Sequence, residues 1–310
     1  RDFAVSNGRY GGAFPSAGGY VGQNSSEDAQ IIYYLKDRVT TGDLKIEIFD
    51  ASGKSYGTVP ATKRKGINKI SWGMRQKPPR VARGVRLDGA GFFGPLCEPG
   101  SYTVKLTKGD KTYTHTLRLV EDMTLPHSME DRSLQRKTVR EIMQLSEELA
   151  LLTEQVWRSR DDARAMADSI KNGSLKKSLT SYADKMEKIR KELIATKGGQ
   201  SITGEERLRE KTSELYGSVA GYLGRPNTAQ MEKFAYLRSQ LNDQQKAAKQ
   251  VWDSDLAKLN TQLKAAGFKS IDLIDKAAFD KMDNTSTASG GKQGFTWTPA
   301  GVEGVFLLND

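Results

Sequence analysis

The sequence predicts an α+β protein in two parts, a β-rich region followed by a helical region. Between residues 30 and 120, apolar and polar residues alternate in short runs, the period of half-buried strands. From residue 128 onward, apolar residues recur every three to four positions, the period of amphipathic helices. A length of 310 residues suits about two domains, and 37% apolar residues suffice to fill their cores.

The β-rich region, residues 28–124, contains the alternating runs of several short strands. Turn residues separate these runs, as in Asp50-Ala51-Ser52-Gly53, where Asp bonds its own backbone and Gly supplies a positive φ. Short strands at this spacing favour a β-sandwich of immunoglobulin or fibronectin type. His115 alternates with apolar neighbours and is predicted to be a buried histidine of the sandwich. The predicted strands are residues 31–35, 44–49, 66–72, 101–106 and 113–119.

The helical region, residues 128–282, is predicted to form four helices. Ser128 and Asp131 have the spacing of a capping box before the first helix, which we expect to continue to about Lys171. Thr203 and Glu206 predict a second capping box, at the start of the third helix. Because the connections are short, we expect an antiparallel bundle with coiled-coil character.

The two terminal segments have compositions of their own. Residues 1–27 combine Gly, Ser and Asn with aromatic side chains, which predicts an extended segment packed on another surface; an irregular edge of the next domain is the alternative. Residues 283–310 indicate a flexible linker and then an apolar C-terminal segment that packs back, with a disordered tail as the alternative.

The net charge of +10 is concentrated in the β-rich region. Residues 1–124 hold 19 basic and 12 acidic side chains, and no acidic residue lies between Asp50 and Asp88. Pro78-Pro79 interrupts a long basic loop, residues 73–98, and loops of that length tend to be functional or to cover a surface. The candidate contact residues for a ligand or partner are Lys63, Arg64, Lys65, Arg75, Lys77, Arg80, Arg83 and Arg86.

Three interpretations of this basic region are open. It is either a solvated or domain-packing loop, or a contact for an anionic glycan, or a nucleic-acid contact. Nucleic acid is disfavoured because few aromatic side chains lie among the basic ones.

Composition and motifs exclude several kinds of site. One cysteine, Cys97, excludes an internal disulfide framework and a Cys-rich zinc site, and two histidines leave little for a metal centre. No nucleotide-binding, metal-binding or nucleophile motif is present, so no catalytic residue, metal or cofactor is assigned. Cys97 is predicted to be a small, partly buried residue. No apolar run approaches 18 residues, so no transmembrane helix is predicted.

Several of these residues carry a resemblance to a known class of proteins. Gly66-x-Asn68-x-x-x-Trp72 and Pro99-Gly100-x-Tyr102 resemble the immunoglobulin-like sandwich module of the flagellar hook-capping protein and of bacterial secreted proteins. More specifically, Tyr33-Tyr34-Leu35-Lys36, Trp72-x-Met74-Arg75-x-Lys77-Pro78-Pro79 and the helical half that starts near Glu130 resemble the C-terminal region of large bacterial proteins. Those proteins carry a sortilin-type or BNR-repeat β-propeller upstream and are glycosyl-hydrolase-like. The resemblance covers most of residues 28–265.

The resemblance implies a non-catalytic accessory region of a secreted, periplasmic or cell-surface bacterial protein. Its role would be to support or dock a propeller domain or a partner protein, and any hydrolase site would lie in the upstream propeller. The alternative is a glycan-binding module that uses the basic loop. A homo-oligomer is a further expectation.

Overall fold

The computed structural model describes residues 28–84, 89–171, 173–197 and 204–282. Within these residues the chain is a mixed α/β protein with two small antiparallel sheets and a series of helices. The predictions for residues 1–27, for Arg86 and for residues 283–310 lie outside the described residues.

The strands divide into a two-stranded and a four-stranded sheet. They are β1 (Ala29–Leu35), β2 (Leu44–Asp50), β3 (Ser55–Val59), β4 (Gly66–Trp72), β5 (Gly100–Lys108) and β6 (Lys111–Leu119). β1 pairs with β4, and the larger sheet has the order β3-β2-β5-β6, with every pairing antiparallel. The five predicted strands are confirmed, and β3 is an additional one.

One apolar cluster joins side chains from both sheets. Ile70 and Trp72 of β4 share it with Ile46 and Ile48 of β2, and all four are buried. Alternation explains this, because residues two apart in a strand point to the same face. The cluster also includes Val59, Cys97, Tyr102 and Val104.

The turn after β2 is confirmed in detail. Asp50 Oδ1 accepts backbone N–H groups from Ser52 at 2.9 Å and Lys54 at 3.0 Å, and Gly53 has a φ of +82°. The Ser52 side chain is the largest cause of the lowered pKa of the Asp50 carboxyl. The residue types therefore form the turn for the reason the sequence predicts.

β6 differs from its prediction. His115 was expected in the core but is exposed, as are all residues of β6 from Lys111 to Thr116. Leu117 and Leu119 pack partly against the apolar cluster, so one end of β6 is covered. Alternation identifies a face, but it does not determine whether another element covers that face.

The basic loop after β4 folds back on itself. Arg75 and Leu96 form an isolated antiparallel bridge, and Gln76 N–H donates to the Pro95 carbonyl at 2.8 Å. A Cβ at Gly94 would lie 1.9 Å from the Gln76 carbonyl oxygen, so this close approach requires glycine. A short 3-10 helix, Gly89–Phe92, lies inside the same loop.

The helices are α1 (Met129–Ser169), α2 (Gly173–Leu193), α3 (Leu208–Ala220), α4 (Thr228–Val251), α5 (Ala257–Ala265) and α6 (Lys276–Asp280). A π-helical segment, Trp252–Leu256, joins α4 to α5 without a break. The Ser128 cap is confirmed, because its hydroxyl accepts the Asp131 N–H at 3.1 Å.

The predicted start of the third helix is wrong. α3 begins at Leu208, and Thr203 lies outside the described residues. The side chain that caps this helix is Glu210, which accepts the Arg207 N–H at 3.1 Å and the Ala195 N–H at 3.1 Å. Glu210 thus supplies the reach-back half of a capping box without an N-terminal Ser or Thr.

By contacts, the chain forms two compact units. The first consists of the described residues up to Pro79 with Gly89–Glu147 and Thr212–Arg238, and so combines both sheets with part of α1. The second consists of Arg80–Asp88, Glu148–Lys211 and the chain from Ser239 onward.

Candidate functional site

The structure divides the predicted basic residues between the two units. Lys63, Arg64, Lys65, Arg75 and Lys77 belong to the first unit, and Arg80 and Arg83 belong to the second. The basic run is therefore two groups with separate environments.

Arg75 is used to hold its own loop. Its Nη1 donates to the Gly94 carbonyl at 3.0 Å, and its guanidinium lies 5.6 Å from the centre of the Phe93 ring. Lys77, two residues further, is exposed. Arg75 thus stabilises the folded-back loop, whereas Lys77 leaves its charge in solvent.

Arg80 closes the end of the last described helix. Its guanidinium donates to the carbonyls of Phe279, Asp280 and Met282, and the bond to Asp280 is 2.7 Å long. The same group lies 4.9 Å from the centre of the Phe279 ring. A cation at the C-terminal carbonyls of a helix also interacts favourably with the helix dipole, so Arg80 anchors α6.

Arg83 belongs to a stack of arginines around Trp157. The guanidinium of Arg83 lies 4.2 Å from the Trp157 ring centre, and those of Arg160 and Arg190 lie at 5.2 Å and 5.1 Å. The Arg83 Nε is 3.2 Å from a carboxylate oxygen of Glu154, whose side chain is 5% exposed. Arg83 is therefore part of an internal charge network of the second unit.

Lys63, Arg64 and Lys65 remain together on the connection between β3 and β4. Asn68, which is buried, organises this connection: its Nδ2 donates to the Arg64 carbonyl at 2.8 Å, and its Oδ1 accepts the Arg64 N–H at 3.2 Å. Lys65 lies 3.8 Å from Asp37, just past the end of β1. The three side chains are exposed at one end of the two-stranded sheet.

The outer face of the two-stranded sheet carries exposed apolar side chains beside these cations. Tyr34 of β1 lies opposite Ile67 of β4, and Ile32 lies opposite Lys69. Ile32, Tyr34 and Ile67 are 65%, 68% and 78% exposed. We call these residues together with Lys69, Arg64 and Lys65 the docking face.

The inner face of the same sheet explains why this surface is held in place. Asn68, Ile70 and Trp72 of β4 are buried, so the odd and even positions of the strand have opposite environments. A register slip of one residue would exchange them, which fixes the side chains that point outward. The docking face was not predicted from the sequence. The run Ile31-Ile32-Tyr33-Tyr34 indicates apolar side chains on both faces of β1, but it does not reveal whether each face is covered.

A cavity lies beside α1 in the first unit. It has a volume of about 200 Å³ and reaches Cys97, and its apolar lining includes Met74, Leu96, Leu119, Leu125 and Leu223. Burial raises the pKa of the Cys97 thiol to about 12, so this thiol stays protonated at neutral pH and is a poor nucleophile. Cys97 is 8% exposed, so it is more deeply buried than the partly buried residue that the sequence predicts.

The charged groups around this cavity are paired with one another. Arg136 lies 2.7 Å from Glu98 and 2.8 Å from Glu121. Arg132 donates to Glu121 at 3.3 Å and to the Asp122 carbonyl at 2.7 Å. These ion pairs hold α1 against the chain that leaves β6.

The described residues contain neither a candidate metal centre nor a candidate membrane-spanning helix. No group of three or more His, Cys, Asp or Glu side chains there is placed to hold a metal ion. In the same part of the chain, no helix combines the length and apolarity needed to cross a bilayer.

Comparison with known proteins found no matching family, no matching curated protein and no matching solved structure.

Proposed function

We propose that this chain is a non-catalytic interaction region that docks a partner protein through the docking face. The observation that carries this proposal is the exposure of Ile32, Tyr34 and Ile67, at 65–78%, on one face of a sheet whose other face is buried. Contiguous exposed apolar side chains mark interaction sites, and Tyr is enriched among residues that dominate binding energy.

The flanking charges indicate the chemistry of the partner. Arg64, Lys65 and Lys69 are exposed around the apolar residues, and one carboxylate, Asp37, lies 3.8 Å from Lys65. Charge complementarity then favours a protein surface with an apolar centre and a rim of carboxylates. The propeller domain implied by the resemblance is the partner that we propose, in a secreted or cell-envelope setting.

The same proposal includes the finer architecture predicted from sequence. The cluster that joins Ile46 of β2 to Trp72 of β4 supports an immunoglobulin-like sandwich of the two sheets. The 41-residue α1 and the contacts of α2 with α5 support an elongated helical bundle.

Photo-crosslinking tests the docking proposal directly. A benzophenone amino acid replaces Tyr34 in cells that produce the protein, and the matched control replaces Tyr236, which is 56% exposed and not on the docking face. We expect one dominant crosslinked protein from position 34 and no such product from position 236. The product from position 34 should disappear when Ile67→Asp is added to the same chain. Equal products from both positions would contradict the proposal.

An anionic glycan is the second candidate, favoured by the exposed Tyr34 ring beside Arg64 and Lys65. Aromatic rings stack on sugar faces while cations pair with carboxylate or sulfate groups. Arg80 and Arg83 are poor test positions, because both guanidinium groups hold intrachain partners.

Affinity electrophoresis in gels containing heparin or polygalacturonate tests this candidate. We expect the double variant R64E/K65E to migrate with at least about fivefold weaker retardation than wild type, and K108E/K111E, a matched double reversal on β5–β6, to match wild type. Equal retardation of all three chains, or none, would exclude a glycan site here.

A further inference from the structure

The strand β6 leaves a long edge unpaired in the described part of the chain. β6 pairs with β5 on one side, in a continuous register from Gly100↔Leu119 to Lys108↔Lys111 without a bulge. Edge strands expose N–H and C=O groups that can pair with another strand, and proteins usually block them with prolines, bulges, short length or charged side chains. β6 has nine residues, and none of them is proline.

The side chains of β6 are also open on both faces along most of its length. The six residues from Lys111 to Thr116 are all exposed, and Tyr113 is 58% exposed. Tyr113 and His115 share a face with Leu117, which packs partly against the apolar cluster. That face therefore carries apolar side chains that are covered at the Leu117 end and exposed at the Tyr113 end.

We propose that β6 pairs antiparallel with β6 of a second copy of this chain, centred on His115, and so joins two four-stranded sheets into one. His115 is the midpoint of Lys111–Leu119, so this register pairs all nine residues of each strand. A shift by two residues in either direction pairs fewer of them and loses backbone hydrogen bonds.

The side chains that meet in this register suit one another. Tyr113 lies opposite Leu117 of the partner subunit, and Thr114 lies opposite Thr116 of the partner subunit. Aromatic–aliphatic and Thr–Thr cross-strand pairs both stabilise antiparallel sheets.

The charges of β6 are compatible with self-pairing. The strand has two cations, Lys111 and Arg118, and no carboxylate. In the proposed register Lys111 lies opposite Leu119 of the partner subunit, and Arg118 lies opposite Thr112 of the partner subunit. Neither cation therefore faces a like charge.

The association is expected to be weak and concentration-dependent. Pairing through one strand buries less surface than a standard interface, and interfaces of that size are typical of weak, transient association. We expect a dissociation constant of about 1 to 100 µM. Such a dimer carries two docking faces, so a partner with two binding sites would gain avidity. The inference does not depend on what the docking face binds.

Disulfide trapping tests the register. His115→Cys places two thiols opposite each other at a Cα separation of about 5 Å, within disulfide range. The matched control is Thr112→Cys. In the proposed register, position 112 lies opposite Arg118 of the partner subunit, so the two new thiols are far apart. The native Cys97 is buried and does not compete for the disulfide. We expect a covalent dimer of His115→Cys under mild oxidation and at least about tenfold less from Thr112→Cys. Equal yields, or no dimer from either, would overturn the proposal.

Charge exchange tests the interface without covalent capture. T114E/T116E and T114K/T116K each place like charges opposite one another across the two-fold axis, at positions that are exposed in the single chain. By sedimentation velocity at about 500 µM, above the expected dissociation constant, we expect wild type to dimerise and each variant alone to be monomeric. A 1:1 mixture of the two variants should dimerise. A monomeric wild type, or a mixture that stays monomeric, would overturn the proposal. Either result would leave the docking proposal untouched, because binding at the docking face is measured on the monomer at nanomolar concentration.

Discussion

At the scale of single residues, the environment determines what a charge does in this protein. Arg64 and Arg83 are the same residue type in the same basic run. Arg64 is exposed on the connection between β3 and β4, whereas Arg83 lies 4.2 Å from the Trp157 ring centre and pairs with Glu154. The first is available to a partner and the second stabilises the fold.

These two roles could not be predicted from the sequence. The acceptors of Arg80 lie about 200 positions away along the chain, and the Trp157 ring lies in the middle of α1. Composition identifies a basic run, but the partners of each guanidinium depend on tertiary contacts. Partial burial of Cys97, in contrast, was predicted, because a lone Cys without nearby His is usually a small core residue.

The carboxylate of Glu187 gives a pH-dependent prediction. Two hydrogen bonds from Arg190, at 2.7 Å and 2.8 Å, are the largest cause of its low pKa of about 2, and burial opposes them. Because the folded-state pKa lies below the usual 4.5, this stabilisation is complete above that pH and is lost as the pH falls toward about 2.

We therefore expect Glu187→Gln to lower the midpoint of thermal unfolding at neutral pH. The difference from wild type should shrink progressively between pH 4.5 and about 2. Glu192→Gln, at a side chain on the same helix that is 58% exposed, is the matched control and should change little. A difference that is constant with pH would show that the ion pair does not stabilise the folded state.

At the scale of elements, strands were predictable where one face is buried. β2 and β4 alternate because Ile46, Ile48, Ile70 and Trp72 fill the apolar cluster. β3 was missed, since it is short and contains Gly57 with a φ of +118°, a residue type that weakens strand signals. His115 was misplaced because alternation does not reveal whether a second layer covers the strand.

The start of a helix could be predicted from the sequence when its capping residue is of a common type. Ser128 caps α1 as predicted, and Asn227 and Gln230 exchange hydrogen bonds of 2.8 Å and 3.0 Å at the start of α4. α3 was placed too early, because its cap is Glu210, a residue with no distinctive signal in the sequence. Capping boxes are informative when present, and they do not exclude other caps.

Two glycines of the first unit should respond in opposite directions to alanine. At Gly94, the added Cβ would lie 1.9 Å from the Gln76 carbonyl oxygen, so Gly94→Ala should destabilise by about 2 kcal/mol or more. At Gly217, inside α3, the added Cβ meets nothing within 4 Å, so Gly217→Ala should stabilise by about 0.5–1 kcal/mol. Chemical denaturation of the two variants measures both values, and a stable Gly94→Ala would contradict the folded-back loop.

At the scale of the whole molecule, the net charge of +10 is a poor guide to function. Part of the basic run is used inside the second unit, by Arg80 and Arg83, and part is exposed beside the apolar residues of the docking face. The charge that remains available is local, and it accompanies an apolar surface. This combination favours a protein partner over a polyanion that would use charge alone.

The most direct test of the docking claim uses the partner protein that photo-crosslinking identifies, purified without a crosslink. Its affinity is measured for three forms of this chain. The three forms are wild type, Ile67→Asp on the docking face, and Tyr236→Asp as the matched exposed control. Calorimetry should give at least about tenfold weaker binding for Ile67→Asp, because it puts a charge in the apolar centre, and unchanged binding for Tyr236→Asp. Equal affinity of wild type and Ile67→Asp, with both folded, would contradict docking through β1 and β4.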